Sequence, residues 1–220
     1  MNILVVSATE FEVKPMLGFL GIALPTIGIN NANIDFEEKD IKVLITGVGM
    51  VNTALMMGRY LNDEYHLIIN VGVCGAFDKN LELGELVHIT EDILSEMGAE
   101  DGDEFLTYDK LNLAGKHVFS ENYSQDSYLM IDLLKKVNGI TVNTVHGNDI
   151  SIEKVKQLYH PDVESMEGAA FFAACSGTKG NYVQIRAISN YVEKRDKEKW
   201  QMPLAVKNLN DFLITFIKNV

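Results

Sequence analysis

Short apolar runs alternate with segments of helical spacing along most of the chain. The apolar runs at residues 2–6, 41–46, 66–71, 84–89, 139–144 and 181–188 predict β-strands. The segments at residues 51–61, 151–159, 168–177 and 203–220 predict helices, and the last of these is amphipathic. Strands that alternate with helices are typical of an α/β fold.

The ends of the first predicted strands carry small and polar residues. The first strand leads through residues 7–9 into a helix that begins near Glu10, the second ends in Gly47-Val48-Gly49, and the third runs into a small-residue turn at residues 72–76. Ligands of open α/β sheets bind beyond the carboxyl ends of the strands. The pattern therefore predicts one shared ligand crevice. A G-x-G without a third glycine does not indicate a dinucleotide site.

Four polar side chains are candidates for chemistry in this crevice. Glu12 lies in the first turn of its helix, Glu167 precedes the uncharged run at residues 168–177, and Asn190 ends a strand. Each alone is more often structural, because acids complement helix N-termini and Asn terminates strands, but their joint placement favours a site. Arg186 lies inside a strand, where a solvated salt bridge and a clamp on a ligand are both open.

Two polar segments interrupt the regular pattern. Residues 91–109 predict an irregular, acidic excursion, and residues 191–200 are rich in charge. Long loops in compact domains are more often functional than decorative, so both segments are candidates for a lid or an interface. Between them, Ser151 is the predicted N-cap of the helix at residues 151–159.

Length and charge limit the possible classes of function. At 220 residues with 47% hydrophobic residues, the chain is expected to form one domain over residues 1–220. A net charge of −12 with only three arginines disfavours nucleic acid as a partner. No apolar run approaches the roughly 18 residues of a membrane span, and no signal peptide is apparent, so a cytoplasmic protein without a membrane partner is expected.

The reactive side chains exclude further classes. Cys74 and Cys175 are too few for a disulfide framework, and no Cys or His spacing fits a zinc site. A G-x-S-x-G motif is absent, so a serine-hydrolase triad has no support. Neither a metal nor an organic cofactor is expected.

The motifs resemble the superfamily of purine nucleoside phosphorylases and nucleosidases, and within it the branch of methylthioadenosine nucleosidases and futalosine hydrolases. The likeness is carried, in the order of the family, by residues 3–13, Gly47-Val48-Gly49, Ser165-Met166-Glu167-Gly168-Ala169 and Ile185-Arg186-Ala187-Ile188-Ser189. It spans nearly the whole chain. It implies a nucleoside phosphorylase-like domain in which a central mixed sheet lies between helices in three layers, and a homo-oligomer of two or more subunits.

The resemblance also implies roles for individual residues. Glu12 would activate the attacking water beside Arg186, and Met166 and Glu167 would hold the ribose. The substrate-binding residues are expected to be Met166, Arg186, Val73, Ile150 and Gly49. The implied reaction is hydrolysis of an N-glycosidic bond of a small nucleoside.

The sequence departs from methylthioadenosine nucleosidases at the base-binding strand, which ends in Ser189-Asn190 where those enzymes have Ser-Asp. Hypoxanthine offers two acceptors, N7 and O6, and the NH2 of Asn190 supplies two donors, whereas adenine pairs its N7 acceptor with an amino donor. Val73 replaces a serine that supports the aspartate in those enzymes, in agreement with the loss of the acid. The segments at residues 96–102, 141–144 and 190–200 look like those of futalosine hydrolases, which release hypoxanthine from futalosine on a route to menaquinone.

Several alternatives stay open from the sequence. A nucleosidase for methylthioadenosine and adenosylhomocysteine or for 6-aminodeoxyfutalosine, a phosphorolytic purine nucleoside phosphorylase, and a non-catalytic nucleoside-binding protein share the same motifs. Phosphorolysis is disfavoured because Glu12 would repel phosphate. The terminal carboxylate of futalosine needs a cationic receptor, and Arg59 and Arg195 are candidates besides Arg186.

Overall fold

The computed structural model describes residues 1–23, 25–32, 39–125 and 127–220. The strands are β1 (Asn2–Ser7), β2 (Gly28–Asn31), β3 (Asp40–Ile45), β4 (Leu67–Ala76), β5 (Leu86–Leu94), β6 (Gly98–Asp101), β7 (Glu104–Thr107), β8 (Val118–Ser120), β9 (Lys135–Thr141), β10 (Val163–Ser165) and β11 (Asn181–Tyr191). The helices are α1 (Glu10–Phe19), α2 (Met50–Tyr60), α3 (Leu129–Asp132), α4 (Asp149–Tyr159), α5 (Gly168–Cys175) and α6 (Met202–Asn219), with a 3₁₀ turn at Lys197–Lys199. None of the helices in these ranges is both long and apolar enough to cross a membrane.

The sheet is mixed, as the sequence predicted. Its strands follow the order β10-β9-β5-β11-β4-β1-β3-β2, and β8 pairs with β5. β1 runs parallel to β3 and β4, and β4 runs parallel to β11, whereas β11 and β5 are antiparallel. β10 pairs with both β9 and β4, so this end of the sheet closes on itself.

Alternate residues of the central strands face opposite sides of the sheet. Ile3 and Val5 of β1 belong to one apolar cluster, together with residues of α1 and α6. Leu4 and Val6 belong to another, together with residues of α2 and α5. Because successive side chains of a strand point to opposite faces, helices cover the sheet on both sides. The predicted α/β fold in three layers is therefore confirmed.

The segment at residues 91–109 is more regular than predicted. β5 continues to Leu94, and β6 and β7 then form an antiparallel hairpin. Gly102 makes the turn with a φ of 62°, a conformation that glycine adopts without strain. The hairpin strands are four residues each and lack buried side chains, so the apolar alternation that predicts a strand is missing.

Other predicted boundaries also shift. β4 continues through residues 72–76, which were predicted as a turn, and β11 continues to Tyr191. Ser151 is not the cap of α4, because the side chain of Asn148 accepts the N–H groups of Ile150 and Ser151 at 3.0 and 3.3 Å. The small residues at positions 72–76 are compatible with a turn, but in the structure they belong to β4 and leave room for neighbouring side chains.

A side chain of α6 replaces a missing backbone hydrogen bond of helix α1. Pro15 lies inside α1 and has no N–H, so it interrupts the hydrogen-bond ladder of the helix. Next to it, the amide of Asn210 accepts the N–H of Met16 at 2.9 Å and donates to the carbonyl of Glu12 at 2.8 Å. An uninterrupted helix pairs these two backbone groups with each other. Asn210 therefore joins the closing helix directly to the backbone of Glu12.

We expect Asn210→Ala to lower the free energy of unfolding by about 2–4 kcal/mol, because it strands a buried N–H and a buried carbonyl. Denaturant unfolding measures this loss. Asn208→Ala on the same helix is the matched control, because the Asn208 side chain donates only one, half-buried hydrogen bond, to the carbonyl of Gly84. Equal losses in the two variants would contradict the bridging role of Asn210.

Candidate active site

A cavity of about 440 Å³ lies near the carboxyl ends of β1, β4 and β11. It is also lined by the turn before α4, by the residues that join β10 to α5, and by the segment that leads into α6. Its lining includes the predicted site residues Glu12, Val73, Met166, Glu167 and Asn190. The predicted shared crevice therefore exists and brings these residues together.

Glu12 is held by its own helix start and by β4. Its Oε2 accepts the backbone N–H and the hydroxyl of Thr9 at 3.1 and 2.8 Å, and its Oε1 accepts the N–H of Val73 at 3.1 Å. The side chain thus caps α1 while it lines the cavity, so the structural and functional interpretations both apply. Oε1 keeps an acceptor position for a ligand or a water, because a carboxylate oxygen accepts more than one hydrogen bond.

Burial raises the pKa of Glu12 above its ordinary value. The positive charge of Arg186 opposes this shift and the negative charge of Glu167 adds to it, while hydrogen bonds from Thr9 and Val73 lower the pKa. A carboxylate with a raised pKa is a better proton acceptor near neutral pH than an exposed one. Glu12 therefore has the environment of a general base.

Glu167 precedes α5 and is 6% exposed. Its Oε1 accepts the backbone N–H of Gly49 at 3.0 Å, and its Oε2 lies 3.6 Å from Nη1 of Arg186. Gly49 has a φ of 96°, which a side chain would disfavour, so glycine lets this N–H point at the carboxylate. Gly49 was predicted to bind substrate and is instead placed to orient Glu167.

Arg186 is fully buried and does not line the cavity. Its Nη2 donates to Oδ1 of Asn70, and its Nε donates to Oε1 of Gln184 at 3.0 Å. Nη1 has no hydrogen-bond partner among the residues that the structure describes. The guanidinium therefore lies beneath the cavity, fixed at two nitrogens. The solvated salt bridge considered from the sequence is wrong, and the structure does not bring Arg186 into the lining as the substrate-binding residue that was predicted.

The orientation of Gln184 depends on a buried carboxylate. Oδ2 of Asp92 accepts the Nε2–H of Gln184 at 3.0 Å, and its Oδ1 accepts the hydroxyl of Thr141 at 2.7 Å. Because Asp92 takes the amide nitrogen, the amide oxygen of Gln184 faces Arg186. Burial raises the pKa of Asp92 to about 6.

Asn190 follows a β-bulge that re-aims the end of β11. Its strand pairing with β4 shifts between Ile188 and Asn190, so Ser189 is the extra residue. The hydroxyl of Ser189 lies 2.8 Å from Oδ1 of Asn190, and the Nδ2 of Asn190 donates to the carbonyl of Tyr191 at 3.0 Å. One N–H of the amide is left for a ligand. The hydroxyl that contacts the side chain of Asn190 therefore belongs to Ser189, the preceding residue. Val73 has no hydroxyl, and its backbone N–H is donated to Glu12.

Ile150 is a predicted substrate-binding residue that the structure does not bring to the cavity. Its side chain is 80% exposed in the first turn of α4, and its N–H is used by the Asn148 cap. The turn that precedes α4 takes this place in the lining, with Val145, His146 and Gly147. The prediction assumed a loop at Ile150, and the helix begins one residue earlier.

His146 and Glu164 also line the cavity, although no sequence pattern singled them out. Nδ1 of His146 lies 2.6 Å from Oε2 of Glu164. The two residues are 18 positions apart and belong to no motif, so only the fold pairs them. Arg195 and Trp200 lie at the exposed side of the lining, where the guanidinium stacks 5.1 Å from the indole ring. No group of three or more His, Cys, Asp or Glu side chains in the described ranges is arranged to hold a metal ion.

Comparisons with known proteins agree with this geometry. The chain matches the phosphorylase superfamily over residues 2–218. A futalosine hydrolase of Thermus thermophilus is 28% identical over 172 residues, which cover 76% of each chain. A 5'-methylthioadenosine/S-adenosylhomocysteine nucleosidase of Marinomonas sp. is 25% identical over 187 residues, covering 81% of this chain and 80% of that one. The crystal structure of such a nucleosidase from Helicobacter pylori has the same fold, with a TM-score of 0.82 at 17% identity, and covers 100% and 99% of the two chains.

The raised pKa of Asp92 predicts a pH-dependent stability. The folded protein holds this proton up to a pH of about 6, and the unfolded chain releases it near 3.8, so stability is lost as the pH rises through that window. Relative to Asp92→Asn, the wild type should lose up to about 3 kcal/mol between these limits. Unfolding at several pH values measures the difference, with Asp63→Asn as the control for an exposed charge. If the wild type instead became more stable than Asp92→Asn as the pH rises through this window, the raised pKa of Asp92 would be contradicted.

Proposed function

From the premise that the chain belongs to the phosphorylase superfamily, we propose that it is a nucleosidase that hydrolyses the N-glycosidic bond of futalosine and releases hypoxanthine. The choice of base rests on the position of Asn190. This residue has a non-ionisable amide, follows the β-bulge of β11 and lines the cavity. The reaction places the protein in a futalosine route to menaquinone.

The carboxylates support hydrolysis. Glu167 hydrogen-bonds the ribose hydroxyls and Met166 packs beneath the sugar. As the C–N bond breaks, its electron pair moves to the base and the sugar acquires oxocarbenium character. Glu12 takes a proton from water, whose oxygen bonds to the sugar carbon, and Arg186 stabilises the charge of both carboxylates from below. Phosphorolysis is disfavoured, because phosphate in place of this water would meet two negative charges.

Asn190 supports a 6-oxopurine as the leaving group. One of its N–H groups has no protein partner among the described residues, and the other can exchange the carbonyl of Tyr191 for the base, so that both N7 and O6 receive a donor. The negative charge that develops on the base is then stabilised by hydrogen bonds, without protonation by an acid. Adenine would leave one donor of this amide facing its amino group, a mismatch that costs free energy in a buried site.

The cavity also offers a receptor for a carboxylate at the far end of the substrate. Arg195 lines the cavity over Trp200, whereas Arg59 lies in the last turn of α2 and does not reach it. A guanidinium beside an aromatic ring suits the aryl carboxylate of futalosine. Methylthioadenosine has no such group. A contact with Arg195 would therefore favour futalosine over methylthioadenosine. Adenosylhomocysteine, the other substrate named for those relatives, also has a carboxylate, so the distinction from it rests on the base and on the aryl group.

A homo-oligomer of two or more subunits is part of the proposal. Phe11 and Val48 line the cavity and yet are 57% and 49% exposed. Apolar side chains at the mouth of a cavity are suitable contacts for a neighbouring subunit, which would close the site against water.

The base preference of the wild type and of Asn190→Asp tests the proposal. The wild type should release hypoxanthine from futalosine faster than it releases adenine from 6-aminodeoxyfutalosine or methylthioadenosine, by roughly 10-fold or more in kcat/KM. Asn190→Asp should lose activity on the 6-oxopurine and narrow or reverse this ratio. Chromatography of the released base measures both. Preferential release of adenine by the wild type would refute the futalosine assignment, as would binding without release. Dependence on phosphate, with ribose 1-phosphate as a product, would indicate the phosphorylase instead.

The pH profile tests the role of Glu12. A general base must be ionised, so kcat/KM should fall as the pH falls through the raised pKa of Glu12. Since the charge of Glu167 raises this pKa, Glu167→Gln should move the acidic limb to lower pH. It should also lower kcat/KM by about 10- to 100-fold through the weakened ribose contact. Glu193→Gln makes the same substitution at the rim of the cavity and should leave the limb nearly in place. An upward shift for Glu167→Gln would contradict the assignment.

A further inference from the structure

We propose that His146, oriented by Glu164, is a second residue that recognises the purine base and that it accepts a hydrogen bond from N1–H of a 6-oxopurine. The inference rests on the proposed function, because it assumes that a purine nucleoside occupies the cavity. Glu164 and His146 both line this cavity and have no part in the mechanism above.

The strand register places Glu164 beside Asn190. Gly75 of β4 pairs with Asn190 of β11 on one side and with Glu164 of β10 on the other. Residues opposite each other in a sheet project their side chains to the same face. A Cβ on Gly75 would lie 3.3 Å from Nδ2 of Asn190 and 3.7 Å from Cγ of Glu164. The two side chains therefore approach the same point beside Gly75 from opposite strands, and both residues line the cavity.

Glu164 fixes both the position and the tautomer of His146. Its Oε1 accepts the backbone N–H of His146 at 3.0 Å, and its Oε2 lies 2.6 Å from Nδ1. Glu164 is 4% exposed, and as a carboxylate it can only accept hydrogen bonds, so Nδ1 carries the hydrogen. The edge contact of the ring with Phe77, at 6.1 Å, restricts its rotation.

The second ring nitrogen of His146 is available to a ligand. Nε2 has no hydrogen-bond partner in the described part of the chain and is not among the buried polar atoms that lack one. With the hydrogen on Nδ1, Nε2 of the neutral ring is an acceptor. The only ring N–H of a 6-oxopurine nucleoside is N1–H, whereas N1 of a 6-aminopurine is an acceptor. His146 thus accepts a hydrogen bond from the base, whereas Asn190 donates hydrogen bonds to it.

Methylation of the substrate at N1 separates recognition from a structural role. His146→Phe keeps a ring against Phe77 and removes both nitrogens. It should lower kcat/KM for inosine or futalosine by about 10-fold or more, the usual effect of one lost hydrogen bond in a site that leaves its partner unpaired. For the same nucleoside methylated at N1, which has no N1–H, the variant and the wild type should differ by less than about 3-fold. His146→Gln, which keeps an acceptor, should recover part of the loss.

Glu164→Gln tests the tautomer. The Oε1 of glutamine would still accept the backbone N–H of His146, so its NH2 would face Nδ1 and move the ring hydrogen to Nε2. Nε2 of His146 would then no longer accept N1–H of a 6-oxopurine and would instead donate to N1 of a 6-aminopurine. The ratio of 6-oxopurine to 6-aminopurine kcat/KM should fall by about 10-fold or more.

The outcomes distinguish this inference from the proposed function. A wild type that releases adenine in preference to hypoxanthine would refute the proposed function itself. In a second outcome, the wild type prefers hypoxanthine while His146→Phe lowers kcat/KM equally for the parent nucleoside and for its N1-methyl derivative. That result would refute recognition of the base by His146 and would indicate that His146 and Glu164 only stabilise the turn before α4. An unchanged base ratio in a folded Glu164→Gln, checked by thermal unfolding, would refute the tautomer argument.

Discussion

The guanidinium of Arg186 is the charge on which the site depends. It is completely buried, and it lies next to two carboxyl groups, Glu12 and Glu167, that are themselves 8% and 6% exposed. Two negative charges in such a place repel each other and lose the solvation of water, and the positive charge of Arg186 lowers the pKa of Glu12 against both effects. A protonated Glu12 could not accept a proton from water. The catalytic proposal therefore requires Arg186 even though it does not line the cavity.

Two glycines of β4 let the neighbouring strands deliver their side chains. A Cβ at Gly72 would overlap Nη1 of Arg186 and lie 2.7 Å from Oε1 of Glu12. A Cβ at Gly75, three residues further along the strand, would lie 3.0 Å from Cγ2 of Val192 and 3.3 Å from Nδ2 of Asn190. These glycines do not make a turn, and their lack of a side chain leaves room for the side chains that approach β4. Under the proposed function, the same β4 segment serves the catalytic part of the cavity with Gly72 and the base-binding part with Gly75.

The fold was predictable from the sequence because it follows from the alternation of apolar runs and helical spacing. The crevice was predictable too, because Glu12, Glu167 and Asn190 each follow a strand or precede a helix in a recognisable pattern. The role of Gly49, the repair of α1 by Asn210 and the pairing of His146 with Glu164 were not. Each joins positions distant in the sequence by hydrogen bonds of single atoms, and such contacts leave no periodicity. The prediction for Ile150 failed for a local reason, since Asn148 and Ser151 are both acceptable caps, and the cap at Asn148, three residues earlier, puts Ile150 inside the helix.

The choice of base is separable from the chemistry of bond cleavage. In the proposed reaction Glu12 and Glu167 act on the water and the sugar, and their charge is balanced by Arg186, which Asp92 orients through Gln184. Asn190 and His146 are proposed to contact the base, and Ser189 and Glu164 orient their side chains. In the described part of the structure no hydrogen bond links the two sets of side chains, although β4 and β11 carry residues that contact both. Under the proposed function, exchanging a donor for an acceptor at Asn190, or an acceptor for a donor at Glu164, would therefore alter which purine leaves without altering how it leaves.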